Sequence, residues 1–166
     1  MDLEITIYKF KIWYVDPIKK LEELPNGNGG FVAFIVGLAL YERLITAKLI
    51  INNREPTDES KKNAMNIDLG ITEGQRTVFW DLFRNGLLHQ AMPKTGKTDY
   101  FFRDDFSDKP LFIESDGECF IHINPWKFTY RVINEFLLQP ELIIASESYP
   151  LASIIYKMDD QSNFIV

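Results

Sequence analysis

The chain has 166 residues, 46% of them hydrophobic and 14% aromatic, which is enough apolar material for one core and excludes a disordered chain. Its net charge of −6, from 24 acidic and 18 basic residues, is the wrong sign for a protein that coats DNA, because such affinity comes from Lys and Arg neutralising phosphates. An enzyme that grips one or two phosphates locally stays open. The single cysteine, Cys119, allows no intrachain disulfide and gives no sign of an oxidising compartment. The acidic start Met1-Asp2-Leu3-Glu4 is unlike a signal peptide, and no apolar run reaches the ~18 residues of a membrane span. The expected location is cytoplasmic, with no membrane partner.

Residues 1–24 carry two periods at once. Leu3, Ile5 and Ile7 alternate as in a strand, whereas Leu3, Ile7, Phe10, Tyr14, Ile18 and Leu21 recur as on a helix face, and periodicity leaves both open. Asp16-Pro17 reads as a helix start, with Asp at the cap and Pro at the first helical position, so at least 16–24 is read as helical. Pro25-Asn26-Gly27-Asn28-Gly29-Gly30 is a turn. A long helix follows over about 31–52, apolar all round in its first half and therefore buried on several sides. Leu40, Leu44, Ala47 and Ile51 form one stripe in its second half. Polar residues 57–63 form a short exposed helix.

The next helix spans about 72–91. Thr72-Glu73-Gly74-Gln75 has the pattern of a capping box, and Val78, Phe79, Leu82, Phe83 and Gly86 supply the apolar stripe. Pro93 stops it. Leu111-Phe112-Ile113, the turn Ser115-Asp116-Gly117-Glu118 and Cys119-Phe120-Ile121-His122-Ile123 read as a β-hairpin over 110–123, after a short apolar run at Tyr100-Phe101-Phe102. Alternation puts His122 opposite Ile121 and Ile123, at an exposed or edge position. Asn124-Pro125 opens a helix over about 125–138, where Trp126, Phe128 and Tyr130 are read as core rather than as stacking platforms for bases. Gln139-Pro140 breaks it, and another helix starts within 141–147.

The segment richest in chemistry is Trp80-Asp81-Leu82-Phe83-Arg84-Asn85-Gly86-Leu87-Leu88-His89-Gln90. Asn85 and His89 are four apart and share one face of a regular helix. Arg84 lies about 140° round from His89 at 3.6 residues per turn, and its long side chain can swing to the same pole. Arg is always charged and presents a planar fork that matches phosphate oxygens. His exchanges a proton near neutral pH, and Asn can orient the imidazole or donate to a phosphate oxygen. Glu42, in the other long helix, could pair with Arg84, and the pair is read as a structural ion pair in preference to a device that positions the Arg for phosphate. No HExxH or thiolate cluster suggests a metal. No cofactor is expected.

Arg84-Asn85-Gly86-Leu87-Leu88-His89 matches the R-x4-6-H motif of HEPN domains (higher eukaryotes and prokaryotes nucleotide-binding), in which the residue after the Arg is commonly polar and often Asn. The long preceding helix and the motif's place inside a later helix are also similar to that family. The resemblance covers about 30–92. It implies a mainly α, HEPN-like helical bundle, here with a small β-hairpin in the C-terminal half. It further implies metal-independent RNA cleavage by a toxin or defence protein, a homodimer with two motifs in one cleft, an RNA substrate and a cognate antitoxin or regulatory protein. In that scheme Arg84 polarises the phosphate, His89 acts on the proton and Asn85 orients or binds. The alternative it leaves is a non-catalytic module for a protein or nucleotide partner.

One domain is expected over 1–158, with its core at 30–92, the hairpin and helical extension at 98–158, and a loose tail at 159–166. Pro93-Lys94-Thr95-Gly96-Lys97-Thr98 ends like a phosphate-binding loop, but the required earlier Gly falls at Ala91 and a helix stands where a strand is needed. Lys94 and Lys97 are instead expected to lend positive charge for substrate binding beside His89. Asp104-Asp105-Phe106-Ser107-Asp108 lacks the Gly and the terminal Glu of a calcium loop and reads as surface.

Overall fold

The structure is a computed structural model in which residues 3–87, 93, 99–103 and 107–145 are described. Helix α3 (Gly30–Ile51) is its axis, roughly 33 Å long at ~1.5 Å per residue. Phe34, Leu38, Tyr41, Leu44 and Ile45 along it are all at most 1% exposed, which matches an apolar surface that runs most of the way round. Ile51 departs from the expected stripe: it lies at the helix end and is exposed.

Helix α6 (Pro125–Leu138) packs along α3. Gly37 makes the approach close. A Cβ there would lie 2.4 Å from Thr129 Oγ1, so only glycine fits. The buried Thr129 hydroxyl donates towards the carbonyls of Ala33 at 2.9 Å and Pro125 at 2.8 Å, tying the two helices together. Asn124 caps α6 by accepting from the Lys127 N–H, and Pro125 stands in its first turn, where a missing N–H costs nothing.

Before the axis, α1 (Leu3–Phe10), a π-helical turn (Lys11–Val15) and α2 (Asp16–Glu22) form one nearly continuous helical stretch. This settles the ambiguous periods in favour of a helix. It also corrects the expected start at Asp16-Pro17. The backbone is already helical at Val15, and the Asp16 N–H donates five residues back to Lys11. The wider turn lies just ahead of Pro17, which has no N–H for a regular ladder.

After the axis, α4 runs over Asp58–Leu69, longer than the polar stretch alone predicts. Met65 and Leu69 bury its far end, and Gly70 at φ 69° closes it. Helix α5 (Glu73–Phe79) starts with the expected capping box of Thr72 and Gln75 and passes into a second π-helical turn, Trp80–Asn85. Phe79, Leu82, Phe83 and Gly86 are buried, but Val78 is exposed. The rest of the expected 72–91 helix beyond Leu87 lies outside the described residues.

The sheet holds more than a hairpin. Strands β2 (Leu111–Ser115) and β3 (Glu118–Ile123) pair antiparallel across Asp116 and Gly117, whose φ values are 54° and 80°. Two positive values suit the right-handed twist of a tight hairpin. Strand β1 (Asp99–Phe102) then joins β3 in parallel, giving the order β1-β3-β2. β3 is therefore central, and His122 is not at an edge. Ile121 and Ile123 point into the core, while His122 shares the other face with Phe101 at 5.3 Å. A helix α7 (Glu141–Ile144) follows α6. It binds back to α3 through the Arg43 guanidinium, which donates to the Ile143 carbonyl.

The architecture is mainly helical with one small three-stranded sheet. Aromatic rings weld the layers: Phe34 meets Phe83, Phe102 and Phe128 edge-on at 5.3–5.5 Å. Among the described residues no helix is long and apolar enough to cross a membrane. The expected tail at 159–166 lies outside the described residues.

Candidate functional site

Arg84 and Asn85 occupy the last positions of the π turn Trp80–Asn85. The 3.6-residue period used to place them does not apply there. π turns inside α-helices are uncommon and recur at functional sites. Within this turn Trp80 and Arg84 stack, with the guanidinium carbon 5.8 Å from the ring centre. Asn85 Nδ2 donates to Asp81 Oδ1 at 3.2 Å.

The guanidinium is held from two sides. Arg84 Nε donates to Glu42 Oε2 at 3.2 Å, and Nη2 donates to Oε1 and Oε2 at 3.2 and 3.1 Å. Nη1 donates to Asn85 Oδ1 at 3.3 Å. The expected Glu42 pair thus forms, and Asn85 touches the Arg directly. The side chains remain 26% and 33% exposed, so solvent still reaches the pair. Of the other expected site residues, His89, Lys94 and Lys97 lie outside the described residues.

Arg84 lines a cavity of about 270 Å³ with Glu42, Asp58, Lys61, Lys62, Arg76 and Trp80. Lys61 and Lys62 come from the first turns of α4, and Arg76 from α5. Sequence reasoning passed over these three. One signal was present: Arg76 precedes Phe79 by three positions and Phe83 by seven, so it sits on the buried face of its helix, where a charge is out of pattern. It is 6% exposed.

A second groove, of about 620 Å³, runs along α6. Trp126 and Tyr130 pack against the core as expected but only half-buried, and they also line this groove. Only Phe128 is fully buried, at 0% exposure. Their spacing of four puts both on the outer side of α6. Tyr130 donates to Glu22 Oε2 at 2.6 Å. Burial, aided by the Glu22 charge, pushes its hydroxyl up to about 12.

Beside that groove Asp68 joins three helices. Arg131 Nη1 donates to Asp68 Oδ2 at 2.9 Å, and Lys48 Nζ lies 3.7 Å from Asp68 Oδ1 and 3.0 Å from Glu135 Oε2. Burial alone would raise the Asp68 carboxyl. The Arg131 guanidinium, the neighbouring Tyr41 hydroxyl and Lys48 outweigh it and hold the group below its ordinary range. Tyr41, 0% exposed, is shifted the other way by its burial and by the Asp68 charge. This cluster ties three helices together; Arg131 and Glu135 also line the groove along α6, and Lys48 and Asp68 line another of about 450 Å³.

Among the described residues no group of three or more His, Cys, Asp or Glu side chains is placed to share a metal ion. No family model, no curated protein and no solved structure matches the chain.

Proposed function

We propose that the chain is a HEPN-like, metal-independent endoribonuclease of the toxin or defence type. It would act as a homodimer that sets two motifs in one cleft and answers to a cognate antitoxin or regulatory protein. The observation that carries the reading is the state of Arg84. Its guanidinium is fixed in one plane by Glu42 and Asn85 and lines a polar, solvent-reachable cavity. A pre-oriented cation at the place where negative charge builds up is what phosphodiester cleavage requires of a protein.

In this reading the ribose 2′-oxygen attacks the adjacent phosphorus and the bond to the 5′-oxygen breaks, leaving a 2′,3′-cyclic phosphate. Arg84 stabilises the charge on the phosphoryl oxygens. His89 handles the proton that leaves the 2′-hydroxyl or reaches the departing 5′-oxygen. Asn85 sets the Arg, and Lys94 and Lys97 add local positive charge.

The test is RNA cleavage with chelator present, comparing the native chain with Arg84→Ala and His89→Ala. The expected result is cyclic-phosphate product from the native chain and loss of at least ~10²-fold in each variant. Equal rates in all three would end the catalytic reading. A second reading, a binding module of the same fold without catalysis, is favoured by one observation: Glu42 engages Nε and Nη2 of Arg84, an edge a guanidinium also uses to grip phosphate in bidentate fashion.

A further inference from the structure

We propose that the cavity between α4, α5 and the Trp80–Asn85 turn is a phosphate-binding subsite, in which Lys61, Lys62 and Arg76 hold a phosphate group beside Arg84. Four cations and two carboxylates line it, in a chain whose net charge is −6. Positive charge is concentrated here against the overall balance. Of the two carboxylates, Glu42 already accepts three hydrogen bonds from Arg84, and Asp58 is exposed to water.

Arg76 is the informative member. It is 6% exposed, and its Nε is buried with no hydrogen-bond partner among the described residues. Among the described residues its charge is answered only by Glu73 at 3.6 Å, a side chain 84% exposed to water, and by a long contact to Thr77 Oγ1 at 3.4 Å. A buried guanidinium with so little compensation is costly to keep. An anion seated in the cavity would offset that cost. Lys61 and Lys62 make no ion pair among the described residues, so their charge is available to the same anion.

Size narrows the ligand. About 270 Å³ falls just under the ~300–1,000 Å³ of pockets that enclose drug-sized ligands. The cavity suits one phosphate with part of its ester rather than a larger cofactor. The phosphate could belong to an RNA strand or to a free mononucleotide. The proposal rests on the ribonuclease reading only in taking RNA as one of these sources.

Calorimetry on the full chain would compare three probes: inorganic phosphate, a nucleoside 5′-monophosphate, and a short 2′-deoxy strand without terminal phosphates, which has no attacking hydroxyl. Chloride at matched ionic strength is the control. The native chain should bind phosphate, and Lys61→Gln with Lys62→Gln should weaken it at least ~10-fold, the scale of losing charge-assisted hydrogen bonds. Both lysines lie at or near the surface of α4, so this variant keeps the fold; an unchanged thermal midpoint checks that. Arg76→Lys, which retains charge in the buried position, should bind more weakly than native and more tightly than Arg76→Gln. Binding of the strand identifies a backbone phosphate, and binding of the mononucleotide alone identifies a free ester. No phosphate binding by the native chain, or equal affinity in the lysine variant, overturns the subsite. Binding is read without turnover, so a chain that binds phosphate but cuts no RNA loses the ribonuclease reading and keeps this one.

Discussion

Glu42 and Arg84 are 42 positions apart, on the axial helix and on a π turn, and their side chains meet in a pair in which one carboxylate accepts three hydrogen bonds from one guanidinium. The contact joins α3 to the segment that carries the motif. It also sets the plane of the Arg84 guanidinium, which Asn85 holds from the other side.

If that plane matters for cleavage, Glu42→Gln should separate rate from stability. The pair is a quarter to a third exposed, and pairs of that kind contribute about 1 kcal/mol or less. The thermal midpoint should therefore barely move. Single-turnover RNA cleavage should fall roughly 10- to 100-fold, because a misplaced group costs that much in rate. An unchanged rate in the variant would mean that the pair is only structural.

Asp68 predicts the response to acid. Its carboxyl is depressed in the folded chain, so it contributes stability above its ordinary value and loses that contribution as pH falls through the lowered one. The thermal midpoint of the native chain should drop as pH falls below about 4. Asp68→Asn should remove part of that slope. It should also cost about 3 kcal/mol at neutral pH, because Arg131, whose side chain is 10% exposed, loses its partner. Parallel pH profiles for the two proteins would show that another carboxylate governs the transition.

The α3–α6 seam is set by a missing methyl group. Gly37→Ala would place a Cβ 2.4 Å from Thr129 Oγ1 and push the helices apart, costing roughly 1–3 kcal/mol. Urea denaturation should show a lower midpoint with the slope retained. Pairing it with Thr129→Ala, which removes the Oγ1 that the new Cβ meets, should recover part of the loss.

The hairpin offers a local test. Gly117→Ala forces a side chain onto a residue at φ 80°, at a cost of about 1 kcal/mol. Amide exchange should quicken in β2 and β3 while α3 and α6 stay protected. Uniform acceleration through the chain would mean that the sheet and the helices open as one unit.

Much of the architecture was legible from local pattern. The axial helix announced itself by an unbroken apolar run, α5 by its capping box, α6 by Asn124-Pro125 and the hairpin by Asp116-Gly117. These signals work because capping, φ preference and the period of burial are settled within a few residues of chain. The same locality explains the errors. The run Asp99–Phe102 is too short to declare itself a strand. It becomes one only by pairing in parallel with β3, about twenty residues further on, and that pairing makes β3 central and moves His122 off the edge. The π turns at Lys11–Val15 and Trp80–Asn85 break a regular period that sequence reading had to assume.

For the site the division is sharper. Arg84 and Asn85 could be named from residue type and spacing, since a cation and an amide at adjacent positions stay close however the chain folds; Glu42 could be named only as a possible partner of opposite charge, and packing brought it to Arg84. That Lys61, Lys62 and Arg76 share a cavity with Arg84 depended on α4 and α5 folding against the axial helix. Charges brought together across separate helices leave no periodic trace in the chain, because side-chain distance there follows from packing and not from sequence separation.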